Sequence, residues 1–155
     1  MEMHDLIHPR AVLAGVRVAS KAEALTLLAR ESADRTGLAQ RMIFDALLER
    51  ERLGSTGVGS GIAIPHARLA GLAKPCAVFL RLDRPIDFES IDERPVDLLF
   101  LLLSPSATVG MDHLKALSRV SRLLRDGDVC RALRRCADAA ELHARLIGQF
   151  APVAA

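Results

Sequence analysis

Val96-Asp-Leu-Leu-Phe-Leu-Leu-Leu103 is almost unbroken apolar sequence. A strand with one face in water alternates apolar and polar residues, so this run fits a central strand covered on both faces. Working outward, Ala77–Leu82 (AVFLRL) reads as a second strand, and Ile62-Ala63-Ile64 as a short one stopped by Pro65. Helical signals flank these strands. Ser20 and Glu23 form a capping box ahead of an apolar stripe of Ala24, Leu27 and Leu28, and Gly37 punctuates. Ala39, Met42, Ile43, Ala46 and Leu47 then recur at helical spacing and run into Glu49-Arg50-Glu51-Arg52. On the other side Asp112 opens a helix expected to turn Leu114, Leu117, Val120, Leu123 and Leu124 inward. Asp128–Arg135 and Asp138–Ile147 read as two more helices, the second opened by the capping pair Asp138 and Glu141. Helices on either side of a few strands predict an α/β layered domain with a mixed sheet.

The chain has 155 residues, and half are hydrophobic. That length favours one domain over residues 1–155, with enough apolar sequence for a core. No repeat or low-complexity linker divides it. Five Phe, no Tyr and no Trp argue against base-stacking platforms. Lys and Arg number 21 against 19 Asp and Glu, and a net charge of +2 is too small for a phosphate-backbone binder. No nucleic-acid partner is expected. Cys76, Cys130 and Cys136 are odd in number and form no C-x-x-C, which reads as reduced thiols. The first residues, MEMHDLIHPR, lack the apolar core of a signal peptide, and no run approaches the ~20 residues that cross a bilayer. The expectation is a cytoplasmic protein without direct membrane insertion.

Between the second helix and the strands lies Gly54-Ser-Thr-Gly-Val-Gly-Ser-Gly-Ile-Ala-Ile-Pro-His66. Such glycine-rich sequence reads as a loop, and its amides can approach an anion. It lacks the Gly-Lys-Ser/Thr ending of a Walker loop and the strand and helix context of a dinucleotide fingerprint. His66 follows a strand and a proline, beside this loop. A neutral imidazole carries a free nitrogen lone pair and can attack phosphorus without a separate base. Spacing alone favours an ordinary surface histidine. His4, His8 and His143 show no ligand spacing and read as surface residues, and a zinc site on His66 and His113 would need a third ligand that nothing identifies.

The segment from Arg50 to His66 resembles the active-site block of the fructose/mannitol-type IIA proteins of the bacterial phosphoenolpyruvate-dependent phosphotransferase system. Pro85-Ile-Asp-Phe88, Asp92-x-x-Pro-Val-Asp-Leu98 and His113-Leu-x-x-Leu-Ser118 extend the resemblance in order over about residues 5–148. It is strongest to the nitrogen-regulatory branch, a stand-alone IIA domain. The resemblance implies a three-layer α/β/α fold with a mixed sheet of about four to five strands. It implies a phosphocarrier with a phosphohistidine intermediate rather than an enzyme turning over small molecules, and no cofactor or metal. His66 matches the histidine that carries the phosphoryl group. Arg50 matches its arginine partner, ahead of Arg52, and His113 matches a second active-site histidine. Loop residues Thr56, Gly57 and Gly59 are expected as further phosphate donors. Val58, Ile62, Ile64 and Pro65 are expected as an apolar collar that excludes water and docks a partner.

The implied partners are a histidine phosphocarrier protein as donor and regulated target proteins concerned with nitrogen, potassium or stress, with a homodimer left open. Two departures stand out. Ala67-Arg68 follows the histidine where many members have glycine and then a basic or polar residue. Ser60 stands where sugar-type members often have an acidic one. The leading expectation is a phosphorelay regulator. A sugar-transport IIA domain serving a IIB partner and a non-catalytic protein-binding regulator are the alternatives.

Overall fold

The computed structural model describes residues 3–107 and 110–150. A short helix α1 (Met3–Leu6) and a 3-10 turn at Pro9–Ala11 lead into strand β1 (Val12–Val16). Helices α2 (Lys21–Thr36) and α3 (Gln40–Arg52) follow. Then come strands β2 (Gly57–Gly59), β3 (Ile62–Ala63), β4 (His66–Leu69), β5 (Cys76–Ile86) and β6 (Val96–Pro105), and helices α4 (Gly110–Leu124), α5 (Gly127–Arg135) and α6 (Ala139–Phe150).

The strands form one mixed sheet in the order β1-β5-β6-β3-β2, with β4 also paired to β6. β6 is parallel to β3 and β4 and antiparallel to β5, and β1 is parallel to β5. β6 is buried along nearly its whole length, as its unbroken apolar run requires. Phe79 and Phe100 face each other across the β5–β6 ladder, edge to face with ring centres 6.2 Å apart and both fully buried. α2 and α3 pack together, α2 against β5 and α3 against β4, while α4 packs on β6 and α6 on β1. The architecture is the expected α/β fold with helices on both sides of a mixed sheet.

Local sequence sets the helix ends. The Glu23 amide donates to Ser20 Oγ at 3.2 Å, and the Glu23 carboxylate reaches back to the Ala19 amide at 2.7 Å. Asp138 and Glu141 make the same reciprocal box at the start of α6. Gly37, at φ 75°, closes α2 in the left-handed conformation that favours glycine.

Four expectations need correction. The sheet has six strands among the described residues, not four or five, and β1, β2 and β4 all escape a reading by pattern. Gly15, at φ 66°, interrupts β1, and the register against β5 shifts there. Second, the glycine-rich stretch is a hairpin rather than a loop throughout. Ser60 and Gly61 both have positive φ (57° and 83°) and join β2 to β3. That is the two-residue turn whose twist matches antiparallel strands. Ser60 tolerates the left-handed conformation because its amide donates to Asp92 and its carbonyl accepts from Arg134. Third, α4 turns Leu117, Val120, Leu123 and Leu124 toward the core as expected, but not Leu114. His113, Val120 and Leu124 are buried, whereas Leu114 is 64% exposed. One residue turns a helix by about 100°, so burying His113 turns Leu114 toward solvent. Fourth, His143 is not a free surface residue, since its Nε2 lies 3.1 Å from the Ile7 carbonyl and ties α6 to the N-terminal segment.

Phe100 lies on the most buried strand with no water path to its ring. Phe100→Ala is expected to destabilise the fold by about 3–5 kcal/mol, as measured by urea unfolding.

Candidate phosphoryl-transfer site

Three elements converge on one side chain. The last turn of α3 carries Arg50, the first residue of β4 is His66, and the first turn of α4 carries His113. Arg50 Nε donates to His66 Nε2 at 3.1 Å, and Arg50 Nη1 donates to the Gly54 carbonyl at 2.9 Å. The other ring nitrogen of His66, Nδ1, lies 2.8 Å from the Ile64 carbonyl. A carbonyl only accepts, so Nδ1 bears the proton and Nε2 holds the free pair. The His113 ring centre is 5.7 Å from that of His66, tilted by 49°. His113 Nδ1 meets the buried Ser104 Oγ at 2.6 Å.

The backbone explains why these groups meet. Pro65 offers a carbonyl to the Leu102 amide at 2.9 Å, and His66 pairs with Leu102 on β6. Two residues farther along β6 sits Ser104, the partner of His113. One strand therefore locates both histidines.

Burial is the main cause holding the His66 pKa below the ordinary imidazole value of 6.5. The Ile64 carbonyl pulls the other way, the Arg50 charge adds to the lowering, and the Glu51 charge opposes it. His113 is lowered too, first by burial and then by His66 and Arg68. Both imidazoles are therefore neutral near pH 7. A neutral, tautomer-fixed Nε2 beside a guanidinium is a nucleophile facing a ready anion ligand.

Arg50, His66 and His113, picked out in the sequence, are brought together. Arg52 is not a competitor: it lies out in solvent and pairs with Glu49. The loop donors need correction. Thr56 is buried, and both its amide and its hydroxyl donate to the Glu51 carboxylate. The Gly57 amide donates to Ser55 Oγ at 3.0 Å. A methyl group on Gly59 would sit 3.2 Å from an Asp92 carboxylate oxygen, a repulsive neighbour for phosphate. Thr56 and Gly57 thus have internal partners, and Gly59 faces the wrong charge.

The apolar collar also differs. Ile62 and Ile64 are core residues at 1% and 4% exposure, and Pro65 is buried, because the β3–β4 segment lies inside the sheet. Only Val58 is exposed. Among the described residues the large apolar side chains open to solvent are instead Met42, Leu53, Val58, Ile91, Met111 and Leu114. Leu53 follows Arg50 by three residues, and Met111 and Leu114 bracket His113 in α4.

The sequence reading missed Glu51 and Ser104. Glu51 is a buried carboxylate bound to Thr56 and, at 3.2 Å, to Lys21 Nζ. A charged residue inside the run Glu49–Arg52 carries no signal that it turns inward, apart from its position next to Arg50. Ser104 ends an apolar strand, where a hydroxyl is easily read as a strand terminus.

His8 is exposed, as read, and the side chain of His4 lies outside the described residues. The three cysteines are unpaired and buried. Among the described residues no group of three or more His, Cys, Asp or Glu is arranged to hold a metal ion. No helix there is long and apolar enough to cross a membrane.

Comparison with known proteins identifies the family and the fold. Residues 5–148 match the family described as "Phosphoenolpyruvate-dependent sugar phosphotransferase system, EIIA 2". A nitrogen regulatory protein of Bradyrhizobium diazoefficiens is 51% identical over 146 residues, covering 94% of this chain and 95% of that one. The crystal structure of nitrogen regulatory protein IIA-Ntr from Neisseria meningitidis superposes with a TM-score of 0.88 at 30% identity, covering 93% of this chain and 98% of that one. IIA mannitol of Escherichia coli shares the fold, with a TM-score of 0.69 at 19% identity over 94% of this chain and 98% of that one. A family match over almost the whole length, with an arginine and two histidines gathered at one point, means that the chain belongs to the EIIA type-2 family of the phosphotransferase system and resembles its nitrogen regulatory proteins.

Proposed function

We propose that this protein is a phosphorelay regulator. It accepts a phosphoryl group from a histidine phosphocarrier protein onto His66 Nε2 and controls target proteins by its phosphorylation state. The observation that carries this reading is the pair of bonds on the His66 ring: Nδ1 to the Ile64 carbonyl at 2.8 Å and Nε2 to Arg50 Nε at 3.1 Å.

The ring tautomer makes Nε2 the nucleophile. As its lone pair forms the new N–P bond, the donor's N–P bond breaks, and that electron pair returns to the donor ring, which leaves neutral if its other nitrogen is protonated. The His66 proton stays on Nδ1, donated in a hydrogen bond to the Ile64 carbonyl. Arg50 then turns its N–H donors from the ring nitrogen to the phosphoryl oxygens. Phosphoryl transfer is loose and puts charge on those oxygens, so positioning and electrostatics do most of the work. His113 supplies a further N–H from Nε2 when Nδ1 accepts the Ser104 hydroxyl.

Phosphorylation places anionic phosphoryl oxygens, only partly offset by the ring that keeps its Nδ1 proton, at a site whose sequence neighbours Leu53, Met111 and Leu114 are exposed apolar side chains. A target that covers those side chains when His66 is bare meets those oxygens when it is loaded. That contrast in desolvation and charge is the basis of a two-state switch.

Incubation with phosphoenolpyruvate, the system's first enzyme and its phosphocarrier is expected to add one acid-labile phosphoryl group, seen by intact-protein mass spectrometry. The group should be absent in His66→Ala, and its presence there would sink the reading. Arg50→Ala is expected to remain folded but to accept phosphate about 10²-fold more slowly, the scale of removing one oxyanion donor. His113→Ala should have a smaller effect in the same direction.

The pH dependence has a definite sign. Protonated imidazole is not a nucleophile, and the fold lowers the His66 pKa. The acceptance rate should therefore hold as pH drops through 6.5 and decline only at the lower folded-state midpoint. A rate-against-pH midpoint at or above 6.5 contradicts the desolvated site.

A further inference from the structure

Glu51 has no part in the transfer as written above, yet its setting is unusual. Its carboxylate is nearly inaccessible, with side-chain exposure of 3%. It sits in the last turn of α3, where the helix dipole disfavours negative charge. Burying a carboxylate costs stability unless well-placed donors compensate. Here they do. The Thr56 amide donates at 2.9 Å, the Thr56 hydroxyl donates as well, and Lys21 Nζ stands at 3.2 Å. Lys21 in turn lies over the buried Phe88 ring at 4.8 Å, and the Phe88 carbonyl accepts from Ser55 Oγ.

The hydrogen bonds continue past Thr56. The Thr56 carbonyl accepts the Ile64 amide at 3.0 Å, and the Ile64 carbonyl accepts His66 Nδ1–H at 2.8 Å. Three successive hydrogen bonds, joined through the backbones of Thr56 and Ile64, therefore link the Glu51 carboxylate to the back of the His66 ring. On its other side, the Gly54 amide bonds the Glu51 carbonyl at 3.0 Å, while the Gly54 carbonyl takes Arg50 Nη1. Glu51 thus borders both arms that hold His66.

Resting on the assignment of His66 as phosphoryl acceptor, we propose that Glu51 is its positioning residue: the buried carboxylate clamps Thr56 so that the Ile64 carbonyl stays on Nδ1 and Nε2 keeps its free pair toward Arg50. It touches neither phosphoryl group nor substrate. Its charge also favours a more basic ring, opposing the lowering by burial and Arg50.

The direct readout is the tautomer of His66, obtained from imidazole nitrogen shifts in labelled protein above pH 7. It needs no phosphoryl donor and so judges Glu51 even if His66 proves not to be the acceptor. Wild type is expected to be Nδ1–H only. Glu51→Ala should stay folded, gain a measurable Nε2–H population and accept phosphate up to about 10²-fold more slowly, the cost of misplacing a reacting group by roughly 1 Å. Glu51→Gln keeps an acceptor for the Thr56 amide and should recover most of both. A folded Glu51→Ala with an unchanged tautomer and wild-type rate overturns the proposal. So does a Gln variant no better than Ala, since that would assign the effect to charge rather than to the bonded chain. If the Ala variant does not fold, Thr56→Val, which removes only the hydroxyl link, should shift tautomer and rate the same way by less. Wild-type behaviour in Thr56→Val would then overturn it.

Discussion

The hydrogen bond from His66 Nδ1 to the Ile64 carbonyl decides which ring nitrogen has a free pair, and the chemistry of the site follows from that choice. The bond is short because the chain cannot drift at this point. Ile64 is core, Pro65 is buried and gives its carbonyl to Leu102, and His66 begins a strand in register with β6. A surface loop of the same sequence would leave the ring free to rotate and exchange tautomers. The sheet interior thus sets the protonation pattern of a partly exposed side chain.

Burial serves two ends at once. It keeps both imidazoles neutral, the form a nucleophile and a hydrogen-bond donor need. It also limits how many charged groups stand near the reacting nitrogen, leaving Arg50 as the cation in direct contact. Three of the apolar side chains that face solvent, Leu53, Met111 and Leu114, border this neutral center in sequence. A phosphoryl group at Nε2 would change that neighbourhood more than it would a surface already crowded with charge.

Legibility in the sequence followed range. Helix caps at Ser20 and Asp138 were readable because a cap joins residues three apart. The central strand was readable because burial on both faces leaves an unbroken apolar run. β1 was not, since a glycine at positive φ breaks its pattern and its pairing partner is more than sixty residues away. Leu114 was placed inward because the leucine spacing of α4 carries no sign that His113, one residue earlier, turns to the core instead. Thr56, Gly57 and Gly59 looked like phosphate donors because unpaired amides are common in glycine-rich segments. Glu51 and Ser55, the partners of the Thr56 and Gly57 amides, and the Asp92 carboxylate beside Gly59 become apparent only when the chain is folded. Ile62, Ile64 and Pro65 looked like a docking rim because an apolar residue beside an active histidine fits either a surface or a core.

By itself the sequence determined the α/β class and the family and singled out Arg50, His66 and His113 as candidates, because periodicity, caps and an ordered set of motifs are carried by residue identity and spacing. Only the tertiary structure decided which nitrogen of His66 is free, that Arg50 rather than Arg52 reaches it, which loop amides already have partners, and which apolar residues face water. Those outcomes depend on distances between segments far apart in the chain, and such distances exist only once β6 has drawn its neighbours into register.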